Sequence, residues 1–276
     1  MLKLSFSTLG CPDWTLREIA HNAARMGYHA VDFRGLLKSV DVTGLPEFAA
    51  DRAATRRLFE DAGVAISGFA ASTRCAVADP SEWATQFDEA RRNMELAQAF
   101  GAHVVRVFGG AVPKGHTIES IWPHLVANLR ALGDAAERFG VVAALETHDA
   151  WTDSALFARL MRETDHPRVR VLWDLCNPYF EKRESPETTH ARLAPYVVST
   201  HVKDAVETAP GKHEYRFLGE GEVPVRRMLE LLAQGGYRGY AILEWEKRWR
   251  PALPAPELAF PQFVAKLREW GLAAPR

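Results

Sequence analysis

Eight times along the chain a short run rich in β-branched and aromatic residues gives way to an amphipathic stretch. The runs cover residues 3–8, 30–35, 64–72, 103–110, 141–148, 169–177, 197–204 and 240–246, and each reads as a strand. The stretches between and after them cover 14–26, 46–62, 81–100, 117–139, 154–164, 188–193, 225–234 and 257–270. Their apolar positions recur at helical spacing, as with Leu125, Leu129 and Leu132. Gly27, Gly63, Gly101, Gly140 and Gly236 follow helices at the point where a left-handed cap ends them. Strands alternating with helices imply a parallel sheet, and eight units favour closure over an open doubly wound sheet. The expected fold is therefore α/β, a single (β/α)8 TIM barrel occupying residues 1–276 as one domain. The chain length of 276 residues suits it, because such barrels need about 250.

The first strand–helix junction, Leu9-Gly10-Cys11-Pro12, lacks the glycine spacing of a dinucleotide fold. A net charge of -1 argues against a surface built for nucleic acid. Three cysteines, Cys11, Cys75 and Cys176, show no metal-finger or disulfide spacing and fit a reducing compartment. Residues 1–6 alternate like a strand rather than forming a signal-peptide core, and no apolar run reaches the roughly 18 residues of a membrane span. The expectation is a soluble cytoplasmic protein with no membrane or nucleic-acid partner.

The last four strands each break their apolar pattern at the C-terminal end, with Glu146, Asp174, His201 and Glu244 respectively. In a closed barrel those ends converge on the face that carries active sites. A carboxylate beside buried strand residues is costly unless paired or bound to metal. Four such residues on four consecutive strands point to one divalent metal ion. Three carboxylates and one imidazole favour Mn2+ first, with Mg2+, Co2+ or Zn2+ open. Such an ion would polarise a carbonyl and its neighbouring hydroxyl and stabilise an enediolate, so a small polyhydroxy carbonyl compound is the expected partner. Glu146 and Glu244 either ligate only or also move the α-proton.

Further candidates flank these four. His148, two past Glu146, reads as a base, a substrate contact or a loop histidine. Asn177 and Lys203 follow Asp174 and His201 and are expected to point toward the mouth. Arg34, Arg106 and Arg216 are substrate contacts or salt-bridge partners across strand tops. Trp173, with Trp14, Phe33, Phe108, Trp151 and Trp245, walls the pocket or packs. No phosphate cradle is visible on the last loops.

At these residues the sequence resembles the xylose isomerase-like barrel superfamily, which includes sugar phosphate isomerases/epimerases, ketose 3-epimerases, 2-keto-myo-inositol isomerase, inosose dehydratase, 3-dehydroshikimate dehydratase and endonuclease IV. The resemblance rests on Leu4-Ser5-Phe6-Ser7-Thr8, on Gly27-Tyr28-His29-Ala30-Val31-Asp32 and on the motifs around the four strand ends. It implies a Glu-Asp-His-Glu ligand set at Glu146, Asp174, His201 and Glu244, with both glutamates serving as acid/base groups. Asn177 departs from the pattern, because several ketose epimerases and the dehydroshikimate enzyme carry histidine there. Glu146-Thr147-His148 is similar to 3-dehydroshikimate dehydratase, in which a histidine at the His148 position acts as base, and His201-Val202-Lys203-Asp204 is similar to inosose dehydratase. The resemblance thus implies a metal-dependent isomerase or epimerase of a small sugar, keto-sugar or cyclitol. A hydro-lyase is the alternative, and an endonuclease IV-like repair enzyme a minor one. Resembling proteins are commonly dimers or tetramers, which sets the expectation of a homo-oligomer.

Overall fold

A computed structural model describes residues 1–276. In chain order the elements are β1 (Lys3–Ser7), α1 (Leu16–Met26), β2 (Ala30–Phe33), α2 (Arg52–Asp61), β3 (Ala65–Arg74), α3 (Pro80–Phe100), β4 (Val104–Phe108), α4 (Ile118–Phe139), β5 (Val142–Glu146) and α5 (Ser154–Thr164). They continue with β6 (Val169–Asp174), α6 (Asn177–Lys182), α7 (Pro186–Leu193), β7 (Val197–Val202), β8 (Asp204–Ala209), β9 (Lys212–Arg216), α8 (Val225–Gln234), β10 (Tyr240–Leu243) and α9 (Pro256–Glu269). Eight of the strands close into a barrel in the order β1-β10-β7-β6-β5-β4-β3-β2, while β8 and β9 form a separate hairpin. The fold is a (β/α)8 TIM barrel, as the alternation of strands and helices predicts.

The chain divides into two compact units. Met1–Gly68 with Thr200–Arg276 forms the first. There β1 pairs in parallel with β10 from Lys3↔Tyr240 to Phe6↔Leu243, and with β2 from Ser5↔Ala30 to Ser7↔Asp32. Helix α1 starts on a capping box between Thr15 and Glu18 and stops at Gly27, whose φ of 90° closes the helix in the left-handed region. The strands carry their apolar side chains into an aromatic cluster with α9. Phe6 lies 4.4 Å from Phe260 and 4.9 Å from Tyr28, centroid to centroid. The Tyr28 hydroxyl donates to the Phe260 carbonyl at 2.9 Å, so its polar end is satisfied within the apolar layer.

Phe69–Ser199 forms the second unit. Strand β5 runs parallel between β4 and β6, with Phe108↔Glu146 and Glu146↔Leu172 in register at its top. Trp151, after β5, lies against the loop after β4 and donates its indole N–H to the Gly110 carbonyl at 2.7 Å. The ring leaves no room for a side chain at Gly109, where a Cβ would sit 2.0 Å from it.

Three stretches differ from the periodicity reading. Residues 197–204 are not one strand: β7 ends at Val202, and Asp204 opens the β8–β9 hairpin. Pro210-Gly211, with Gly211 at φ 73°, supplies the turn. Residues 46–62 split into a 3-10 turn, Pro46–Phe48, and α2. The short helix expected near 188–193 is α7, and a further helix, α6, precedes it where the strand reading of 169–177 ended; each has proline in its first turn.

Candidate metal centre

In the second unit, Glu146 and Asp174 are the last residues of β5 and β6, and both are buried. Alternation along β4 brings Arg106 beside Glu146, with Nε 3.3 Å from Oε2. Arg106 also donates to the Ala71 carbonyl at 2.8 Å, and its guanidinium lies 3.8 Å from the Phe108 ring centroid. Arg106 thus makes an ion pair across neighbouring strand tops.

Asp174 is held by the start of α6. Its Oδ1 accepts the backbone N–H of Cys176 and of Asn177, each at 2.9 Å. Thr147 Oγ1 accepts the Asp174 N–H at 3.0 Å, and the Asn177 side-chain amide donates to the Thr147 carbonyl at 3.0 Å. Asn177 therefore fastens the top of β5 to the start of α6. His148 is partly exposed, with Nδ1 3.0 Å from Asp149 Oδ1 and its ring 4.9 Å from that of Phe108. Trp173, next to Asp174 on a strand, turns to the opposite face and meets His190 of α7 at 6.4 Å, away from the carboxylates.

In the first unit, His201 projects from β7 and Glu244 follows β10, again both buried. His201 Nδ1 lies 3.1 Å from Glu244 Oε1. Lys203, two residues further along the same face, places Nζ 2.6 Å from Glu244 Oε2 and 3.5 Å from Glu246 Oε1. Burial alone would raise the Glu244 carboxyl. The charges of His201 and Lys203, with their hydrogen bonds, outweigh it and hold the group well below the usual carboxylate range. Tyr215 closes this cluster from the hairpin: its phenol bonds Glu246, and its ring takes Arg250 at 4.6 Å. Burial pushes that phenol up.

The remaining candidates stand differently. Arg34 is buried just after β2, where its backbone N–H donates to Thr8 Oγ1 at 2.9 Å. Arg216 is the last residue of β9 and pairs with the exposed Glu214 at 2.9 Å. Sequence reasoning gave no role to Asp204. Its carboxylate accepts four backbone N–H groups, from Ala205 and Val223 at Oδ1 and from Gly219 and Gly221 at Oδ2. The visible signal was the Gly219-Glu220-Gly221 sequence: at Gly221 a Cβ would sit 2.0 Å from Asp204 Oδ1.

Glu146, Asp174, His201 and Glu244 each offer one ligand atom, and these atoms all lie within 4.8 Å of one another. Ligand bonds of about 2.0–2.4 Å to a shared cation put its ligand atoms no more than about 4–5 Å apart. Three buried oxygens and one imidazole nitrogen at that spacing fit a hard divalent ion.

No curated protein matches this sequence. Among solved structures, the chain is similar to a probable 3-DHS dehydratase from Bacillus anthracis involved in petrobactin synthesis (15% identity, TM-score 0.79, covering 97% of this chain and 99% of that one). It is similar also to a 3-keto-D-glucoside 4-epimerase from E. coli (15%, 0.78, covering 98% and 100%). A third likeness is to a xylose isomerase-like TIM barrel protein from Mycobacterium smegmatis in complex with magnesium (18%, 0.74, covering 98% and 97%). At such identities these likenesses speak to the fold. The family profile described as xylose isomerase-like TIM barrel matches residues 20–269. Since that match runs from within the first helix to the end of the last, the chain belongs to the xylose isomerase-like TIM barrel family.

Proposed function

We propose that residues 1–276 act as one catalytic domain, a divalent-metal-dependent isomerase or epimerase of a small sugar, keto-sugar or cyclitol. The observation that carries this reading is the meeting of four buried ligand atoms from Glu146, Asp174, His201 and Glu244 within 4.8 Å. When bound there, a divalent ion supplies Lewis acidity toward a substrate carbonyl. Glu146 and Glu244 act on the carbon next to that carbonyl: the one that enters as carboxylate takes the α-proton, and the one that enters as carboxylic acid returns a proton. Each is aimed by a basic neighbour, Arg106 beside Glu146 and Lys203 beside Glu244. Asp174, fixed by two backbone N–H groups, and His201 complete the ligand set. The epimerase likeness supports the reading.

One observation favours a second reading, a hydro-lyase. His148 is oriented by the Asp149 carboxylate at 3.0 Å, and Asp149 is held at φ 53°, a backbone region uncommon outside glycine. An imidazole steered by a carboxylate is the arrangement of a general base. The dehydratase likeness supports it.

Incubation of metal-loaded protein with ketoses, keto-inositols and dehydroshikimate in D2O separates the two. Deuterium in an isomeric product identifies an isomerase or epimerase, and a new conjugated chromophore identifies a dehydratase. Absence of exchange across the panel would end both readings.

A further inference from the structure

Each of the three candidate carboxylate ligands has one oxygen already engaged by the protein. In the second unit, Asp174 Oδ1 accepts the backbone N–H groups of Cys176 and Asn177 at 2.9 Å each. Glu146 Oε2 faces the Arg106 guanidinium, 3.3 Å from its Nε. In the first unit, Glu244 Oε2 accepts from Lys203 Nζ at 2.6 Å, while Oε1 lies 3.1 Å from Nδ1 of His201, its fellow ligand candidate. The engagement of Glu244 is the tightest made by a side chain.

Lys203 has no route from Glu244 to solvent, because its side chain is only 3% exposed. Glu246, two residues past Glu244, faces Nζ with Oε1 at 3.5 Å and is itself fixed. Its Oε2 lies 3.3 Å from Arg250 Nε, and the Tyr215 phenol of the hairpin bonds it. The Tyr215 ring stands 5.9 Å from Nζ. The ammonium is thus confined between two carboxylates and an aromatic wall.

That confinement bears on the choice of cation. Ca2+ gathers about six to eight oxygens and readily takes both oxygens of one carboxylate, whereas Mg2+ and Mn2+ complete an octahedron of about six ligands. A cation that gripped Glu244 Oε2 as well as Oε1 would share Oε2 with an ammonium. Two positive charges on one oxygen in a dry site repel strongly.

We infer that Lys203 is a selectivity residue: by occupying Glu244 Oε2 it restricts that glutamate to one ligand oxygen and makes the site discriminate against Ca2+. The inference rests on the metal reading above and deepens it. Lys203 acts on the cation through Glu244, as a positioning residue, and needs no contact with substrate to do so.

The test is calorimetric titration of chelator-treated wild type and Lys203→Met with Mn2+ and, separately, with Ca2+. Loss of a nearby positive charge strengthens both ions, and a loosened fold weakens both, so the ratio of the two affinities is the readout. In Lys203→Met, Ca2+ is expected to gain about tenfold on Mn2+ from the oxygen released. A ratio that does not move overturns the assignment. A second measurement needs only wild type: oxygen-17 line broadening counts the exchangeable waters on bound Mn2+. Four single-atom ligands leave about two of the six octahedral positions to water. A count near one would mean that a carboxylate already grips with both oxygens, and would overturn the proposal even where Lys203→Met fails to fold. If wild type binds neither ion, the metal reading falls with it. If Mn2+ binds and the ratio stays put, only the role of Lys203 is lost.

Discussion

Lys203 Nζ lies 2.6 Å from Glu244 Oε2, and both side chains are buried. Removing one partner of such a pair strands the other charge, which typically costs about 3–5 kcal/mol. Lys203→Met is therefore expected to lower stability by that order in denaturant unfolding. Adding Glu244→Gln to it should cost less than the sum of the single changes, since the Glu244 charge is then no longer left without its lysine. Strict additivity would show that the two groups do not interact.

The depressed Glu244 pKa gives a pH signature in metal-free protein. Folding favours the ionised form, so this contribution is fully present above the ordinary value of 4.5 and is lost as pH falls through the lower folded value. The difference in Tm between wild type and Glu244→Gln, measured in chelator, should hold steady from pH 7 down to about 4.5 and shrink below it. Shrinkage between pH 7 and 5 would contradict the assignment.

Metal should act as a ligand of the folded state. Titrating Mn2+ into chelator-treated protein to a hundred times its Kd adds about 2.7 kcal/mol, a Tm rise of roughly 5 °C or more. Asp174→Asn should flatten that response. A wild-type Tm indifferent to Mn2+, Mg2+, Co2+ and Zn2+ would remove the basis of the proposed function.

Gly221→Ala tests the anchoring of the segment after the hairpin. The new methyl would meet Asp204 Oδ1 at 2.0 Å and break a carboxylate site that serves four N–H groups. A loss of about 3 kcal/mol is expected in urea unfolding, from overpacking and unmade hydrogen bonds.

The thiols supply a simple check on burial. Cys11, Cys75 and Cys176 are buried and form no disulfide, and burial pushes the Cys11 and Cys75 thiols well up from their ordinary value. A thiol-specific reagent should find almost none of them in native protein and all of them in denaturant. Fast native labelling of Cys75 would show that its surroundings open readily.

What the sequence disclosed and what it hid divide along local and long-range interactions. Strand ends at Glu146, Asp174, His201 and Glu244 were readable because each interrupts an apolar run, a pattern contained in five or six residues. Helix stops at Gly27, Gly101 and Gly140 were readable for the same reason, and all three adopt left-handed caps. Arg106 was placed near the right strand end, but its partners, Ala71 and Glu146, lie 35 and 40 positions away in the chain and no local pattern reveals them. Trp173 and Asp174 are adjacent, and only the choice of inward face decides which of them meets the carboxylates. The hairpin escaped because Asp204 continues the β-rich run of β7, and the bonds that make it a boundary come from residues up to 223.

Asp204 has one more consequence. By gripping Gly219 and Gly221, it ties the beginning of the β8–β9 excursion to its end. The feet of the hairpin are thus fastened independently of its tip, so length and sequence around Pro210-Gly211 can drift, or accept a spliced-in peptide, while His201 and Lys203 keep their stations. One carboxylate makes that arm of the barrel a modular appendage.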